Sequence, residues 1–143
     1  MQPFQIRQSI AHFDQNKPLI LKMAFKIKST GWTQQVQQKL EQIINQAANW
    51  YYMFESQGCN MPLVIRMFIG RGWGQGPQHS QSFQAMFAHS PGLKVVMPAT
   101  PYDAKGLMIA SIEDNNPVIF LEHRWIHNIF GEVPEEYYSI PLG

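Results

Sequence analysis

Residues 70 to 81 read Gly-Arg-Gly-Trp-Gly-Gln-Gly-Pro-Gln-His-Ser-Gln, alternating glycines that run into a histidine. Glycine lets a backbone turn sharply and approach a ligand with no Cβ in the way. Imidazole both takes up and releases protons near neutral pH, so a histidine in such a loop is a candidate for acid–base work. His79 is that residue here. The spacing is neither Gly-x-Gly-x-x-Gly nor a P-loop, since Lys followed by Ser or Thr is missing after the last glycine. The pattern alone leaves a structural turn and a ligand loop as equal readings. His89, His123 and His127 have no comparable setting and read as structural or solvated.

A reactive loop needs elements to hold it. Pro62 to Ile69 is a short apolar, β-branched run without clean alternation, as in a strand buried on both faces. His79 therefore falls beyond the C-terminal end of a strand, where open α/β sheets place their ligands. From about His79, the positions of Phe83, Met86 and Phe87 predict a short helix closed by Pro91 and Gly92. Leu93 to Met97 is a second strand. Thr100, Pro101 and Asp103 predict a helix start, because the Thr hydroxyl accepts an unpaired backbone N–H and Pro at the first position loses nothing by lacking one. That helix runs through Ala104, Leu107, Met108 and Ile112 and stops at Asn115-Asn116-Pro117, a turn. Val118 to Leu121 is a third strand, and His123 onward reads as an exit loop. Upstream, Thr33 to Phe54 carries apolar residues at three- and four-residue steps and reads as a helix ended by Gly58. Helices alternating with short apolar strands imply a three-layer α/β fold with neighbouring parallel strands.

The chain has 143 residues, 45% hydrophobic, with 10 Gly, 10 Pro and a single Cys. That profile excludes collagen-like, low-complexity and disulfide-stapled chains. Cys59 has no internal partner, which favours a reducing cytoplasm or organelle matrix. The longest apolar runs are broken by Lys22 and Arg66, so no membrane span is expected. Met1 to Ser9 lacks the apolar stretch of a signal peptide. Residues 1–40 carry six basic residues against Asp14 alone, whereas residues 41–143 carry five against nine acids. Because Lys22, Lys26 and Lys28 alternate with Met23, Phe25 and Ile27, the basic part reads as a half-buried strand rather than a nucleic-acid arm. The consecutive Trp50 to Phe54 aromatics and Met53 cannot all face one sheet and predict an exposed apolar patch and self-association.

Read together, several segments resemble a known family. They are Pro62 to Arg66, Gly76-Pro77-Gln78-His79-Ser80-Gln81, Pro91 to Pro98, Asp103 to Leu107, and Asp114-Asn115-Asn116-Pro117-Val118 with Glu122. In this order they look like the pyrimidine-binding domain of thiamine-diphosphate enzymes, most of all the β subunit of the E1 component of 2-oxo acid dehydrogenases. Transketolase and deoxyxylulose-phosphate synthase are more distant relatives. The resemblance covers about residues 40 to 143, and Leu40 to Ala48 is similar to the helix before the first strand.

The resemblance implies a transketolase-type parallel α/β domain. It would hold the aminopyrimidine of thiamine diphosphate while an E1 α subunit grips the diphosphate and Mg²⁺. The chain has no Gly-Asp-Gly motif, so Mg²⁺ is expected only through the partner. His79 falls on the family's active-site histidine, facing the cofactor channel and the lipoyl domain of E2, with Gly76, Gln78 and Gln81 beside the cofactor. Some members hold K⁺ through backbone carbonyls, which by position would be Leu63, Ser111, Asp114 and Asn116. A second β-like chain is a further expected partner; nucleic acid and membrane are not.

The first forty residues depart from the family. Its Glu, which bonds the pyrimidine N1', lies upstream of the Leu40 helix, yet residues 1–40 contain no Glu and Asp14 is their only acid. The reading is therefore a divergent or truncated basic segment over 1–40 and a pyrimidine-binding domain over 41–143. The isolated chain is expected to be inactive, with a non-catalytic remnant or subunit-interaction module as the alternative function.

Overall fold

Three parallel strands form the centre of the computed structural model, which describes residues 4–5, 39–54, 60–72, 74 and 76–142. In chain order the elements are β1 (Phe4–Gln5), α1 (Ala48–Phe54), β2 (Val64–Ile69), α2 (Gln84–Ala88), β3 (Lys94–Val96), α3 (Pro101–Glu113), β4 (Val118–His123) and β5 (Phe130–Gly131). A π-helical segment, Gln42–Ala47, runs directly into α1. The expected strand at Lys22 to Lys28, the helix start at Thr33, Gly58 and Cys59 lie outside the described residues, as do Asp14, Trp73 and Gln75.

The sheet order is β2-β4-β3, with both pairings parallel. Within this sheet β4, the last of its three strands in sequence, thus lies between β2 and β3, which flank it rather than touch. Its central place explains its composition: Val118, Ile119, Phe120 and Leu121 are all fully buried. Alternation sends Ile119 and Leu121 to one face with Ile65, Ile69, Ile43 and Phe87, and Val118 and Phe120 to the other with Val64, Val96 and Met108. The π-helix and α2 cover the first face, and α3 covers the second. Burying each large apolar side chain contributes roughly 1.5–3 kcal/mol.

Helix α3 begins as its sequence predicts. Asp103 N donates to Thr100 Oγ1 at 3.1 Å, Thr100 N donates to Asp103 Oδ2 at 3.0 Å, and Pro101 occupies the first turn, a reciprocal capping box. Helix α2 corrects an expectation. It starts at Gln84, and His79 instead ends a single 3₁₀ turn, Pro77–His79, because the proline-led turn is closed by its own short bonds.

The tail also differs from an exit loop. Strand β4 continues to His123, a 3₁₀ helix follows over Arg124–Asn128, and β5 pairs antiparallel with β1. Beyond it, Lys105 Nζ donates to the carbonyls of Pro134, Glu135 (3.2 Å) and Glu136 (2.8 Å). Tyr138 stacks on Tyr102 at 4.5 Å and donates to its carbonyl at 2.9 Å. Burial, with Tyr102 and Asp103 nearby, pushes the Tyr138 hydroxyl up to about 12. The tail is thereby packed along α3. No helix among the described residues is long and apolar enough to cross a membrane.

Candidate functional site

At the C-terminal edge of the sheet, Ile69 pairs with His123 at the ends of β2 and β4. The chain then leaves β2 through Gly70 and returns at Gln81, where Gly70 N donates to the Gln81 carbonyl at 3.0 Å and closes the loop at its base. Gly70 has φ +77, and a Cβ there would overlap the His123 ring. The close approach of β4's last side chain and the left-handed turn both require glycine at this point.

Inside the loop, Gly76 has φ +74 with open space around it. Its carbonyl accepts from Ser80 Oγ at 2.7 Å and from His79 N at 3.3 Å. This tight turn carries Gly76, Gln78 and His79, with Gln81 at the base of the loop, and all four are exposed. His79 is thus presented on the rim of the sheet edge, held by backbone bonds while its ring is accessible. Arg124 reaches the turn from the end of β4, with Nε donating to the His79 carbonyl at 3.1 Å.

The other expected set lies at the opposite end of the sheet. Leu63 precedes β2, Ser111 is in the last turn of α3, and Asp114 and Asn116 form the turn into β4. The Leu63 carbonyl accepts from Val118 N at 2.8 Å. Asn116 donates to Asp114 Oδ1 from its backbone N at 2.8 Å and from Nδ2 at 3.1 Å. Burial pushes the Asp114 carboxyl up, but the Lys94 ammonium at 2.5 Å and the Asn116 donors outweigh it and leave it below the usual range. The pair Asn115-Asn116 is a turn, as read. Among the described residues no cluster of three His, Cys, Asp or Glu side chains forms a metal site.

The structure joins residues whose pairing the sequence did not show. Glu122, fully buried on β4, forms a two-point ion pair with Arg66 on β2 and faces His127 Nε2 at 3.1 Å. Buried charges are tolerated when paired in this way. Phe68, half exposed, meets the His127 ring edge-on at 5.1 Å and lies beneath the guanidiniums of Arg66 (5.4 Å) and Arg124 (5.9 Å). The available signal was one arginine and one glutamate interrupting otherwise apolar strands. His123 and His127, four residues apart, serve different partners: His123 Nδ1 accepts from Trp125 N at 3.2 Å while His127 faces Glu122.

With this geometry in view, the comparisons with known proteins become specific. Residues 40–127 match the pyrimidine-binding domain family of transketolase. The chain is 50% identical over 103 residues to the β subunit of the acetoin:2,6-dichlorophenolindophenol oxidoreductase of Bacillus subtilis, covering 72% of this chain and 30% of that protein. It is 45% identical over 105 residues to the β subunit of 2-oxoisovalerate dehydrogenase from the same organism, covering 73% and 32%. With the β subunit of its pyruvate dehydrogenase E1 component, identity is 51% over 83 residues, covering 57% and 26%. The chain therefore spans about 30% of the length of these curated relatives. It belongs to the transketolase pyrimidine-binding domain family.

Proposed function

We propose that this member of the pyrimidine-binding family is the β-type part of a thiamine-diphosphate-dependent 2-oxo acid dehydrogenase, decarboxylating a 2-oxo acid together with an α-type subunit. The observation that carries the reading is the glycine-rich loop that presents an exposed His79 at the C-terminal edge of a parallel sheet. The rim fits one side of a shared cofactor. Gly76 offers backbone with no side chain in the way, Gln78 and Gln81 offer amide donors and acceptors, and His79 offers a proton-exchanging ring. When bound, thiamine diphosphate supplies the carbanion chemistry of decarboxylation. The chain's part is to line the pyrimidine side and to move a proton at a His79 ring nitrogen. The diphosphate and Mg²⁺ fall to the partner, because no Gly-Asp-Gly motif is present.

In this reading a lipoyl domain of E2 approaches the His79 rim. A second β-like chain covers the half-exposed Tyr52 and Met53 of α1. K⁺ at the Leu63, Ser111, Asp114 and Asn116 carbonyls is part of the same reading, as is a cytoplasmic or organelle-matrix location. A non-catalytic interaction module is the second reading, favoured by the lack of Glu in residues 1–40 and by Glu122 being committed to Arg66 and His127. For the same reason the chain alone is expected to be inactive.

The test is His79→Ala assembled with a phosphate-binding α-type subunit. The enzyme reading expects kcat to fall about 10²- to 10⁴-fold, with an unchanged far-UV spectrum. An unchanged rate removes His79 from the chemistry. Absence of activity with any partner, even after a Glu is restored upstream, establishes the second reading.

A further inference from the structure

We propose that Arg124 is a positioning residue that clamps the His79 turn onto the end of β4, an inference that rests on the reading of His79 as the proton-handling group. Three contacts fix its side chain. Its stem lies against Gly72, where an added Cβ would come within 3.0 Å of Arg124 Cβ. Its guanidinium lies 5.9 Å from the Phe68 ring centroid. Its Nε then donates to the His79 carbonyl at 3.1 Å.

The turn itself is held only by local bonds, the shortest being Ser80 Oγ to the Gly76 carbonyl at 2.7 Å, which fix its shape and not its place against the sheet. It is a single 3₁₀ turn whose internal backbone bonds, His79 N to Gly76 and Ser80 N to Pro77, are both 3.3 Å long. Its side chains are exposed and contribute little packing. The base bond between Gly70 and Gln81 fixes where the loop starts and ends but not where its tip points. A charge-assisted bond from a guanidinium anchored on the sheet is stronger than a neutral one. Arg124 opens the 3₁₀ helix directly after β4, so its backbone is tethered to the end of the most buried strand of the sheet. Small misplacements of a reacting group cost rate out of proportion to stability. The contribution of Arg124 thus falls on the orientation of the His79 ring and not on folding.

The experiment is amide hydrogen–deuterium exchange on the full chain, comparing the unsubstituted protein with Arg124→Met, which keeps the stem and removes the donor. Exchange over residues 76–83 is expected to accelerate at least tenfold, with residues 104–110 of α3 unchanged; equal exchange over 76–83 overturns the clamp. If α3 also accelerates, the substitution has loosened the whole fold, and nuclear magnetic resonance of the unsubstituted chain decides. There the Arg124 Nε–H should exchange at least tenfold more slowly than that of exposed Arg71, and equal rates overturn the proposal. In the assembled enzyme, Arg124→Met should lower kcat about tenfold with KM for the 2-oxo acid unchanged, and Arg124→Lys should recover part of the loss. Loss of KM alone contradicts a positioning role. If His79→Ala leaves the rate intact while Arg124→Met still frees the loop, the His79 reading fails and the clamp stands. If His79→Ala abolishes the rate while Arg124→Met changes neither exchange nor kcat, the clamp alone fails.

Discussion

The two ends of the sheet are built from the same strands and are closed in opposite ways. At the N-terminal end, Asp114 to Pro117 makes a short turn whose groups are bound within a few residues or to the adjoining strands. Asn115 accepts from Met61 N, and Pro117 accepts from Lys94 N, each at 3.0 Å. Its ion pair, Lys94 with Asp114, is partly solvated. At the C-terminal end the chain makes a long excursion from Gly70 to Gln81 that leaves His79 exposed, while the ion pair beneath it, Arg66 with Glu122, has its carboxylate fully buried. An end that only returns the chain can be short and self-satisfied. An end that exposes a loop of this length rests on a stiff base, and the buried Glu122 carboxylate paired with Arg66 forms part of that base.

The largest consequence is thermodynamic. Glu122→Ala would strand Arg66 and His127 beside a buried hole, and removing one partner of a buried pair costs about 3–5 kcal/mol. Urea denaturation should show that loss. A change below about 1 kcal/mol would mean that the two ends are energetically alike.

Gly70→Ala is next. It forces φ +77 on a residue with a Cβ and displaces the His123 ring. The expected loss is about 1–3 kcal/mol, read as a lower melting temperature, and Gly76→Ala, with open space, should cost less. Equal losses would show that the close approach to His123 is irrelevant.

The smallest effect belongs to the N-terminal end. The Asp114 pKa is depressed in the folded state, so its contribution is present above the unfolded value of about 3.9 and is lost as pH falls through the folded value. For a partly exposed pair this is under about 1 kcal/mol. Lys94→Met should therefore lower stability slightly at pH 7 and leave it unchanged below both pKa values, as followed by denaturation across pH. A loss as large as that from Glu122→Ala would erase the contrast between the ends.

What the sequence makes legible follows from the range of the interactions. The apolar run at Val118 to Leu121 announces a strand buried on both faces, whereas the run at Val64 to Ile69 announces a strand but not its edge place, where Phe68 is half exposed and Arg66 and Met67 are partly buried. The start of α3 is written in Thr100, Pro101 and Asp103, all within four residues. The order β2-β4-β3 is not written in any local pattern, because each strand is mostly apolar with a charged residue (Arg66, Lys94 or Glu122), so composition does not choose the middle one. The extension of β4 to His123 is masked by Glu122, whose charge reads as a strand end until Arg66, 56 residues away, is seen to neutralise it. The packed tail is hidden for the same reason, since Lys105 and Pro134 to Glu136 meet only in three dimensions. That a glycine-rich loop leaves the sheet after β2 was legible from its glycines, whereas the contact of Arg124 with the His79 carbonyl required the fold.

The central claim is that this chain supplies one rim of a thiamine-diphosphate site completed by another subunit. Calorimetric titration of thiamine diphosphate with Mg²⁺ into the full chain, alone and then with an α-type phosphate-binding subunit, tests it most directly. The account predicts no heat of binding with the chain alone and saturable binding once the partner is present. Micromolar binding by the chain alone, or none with any partner, would contradict it.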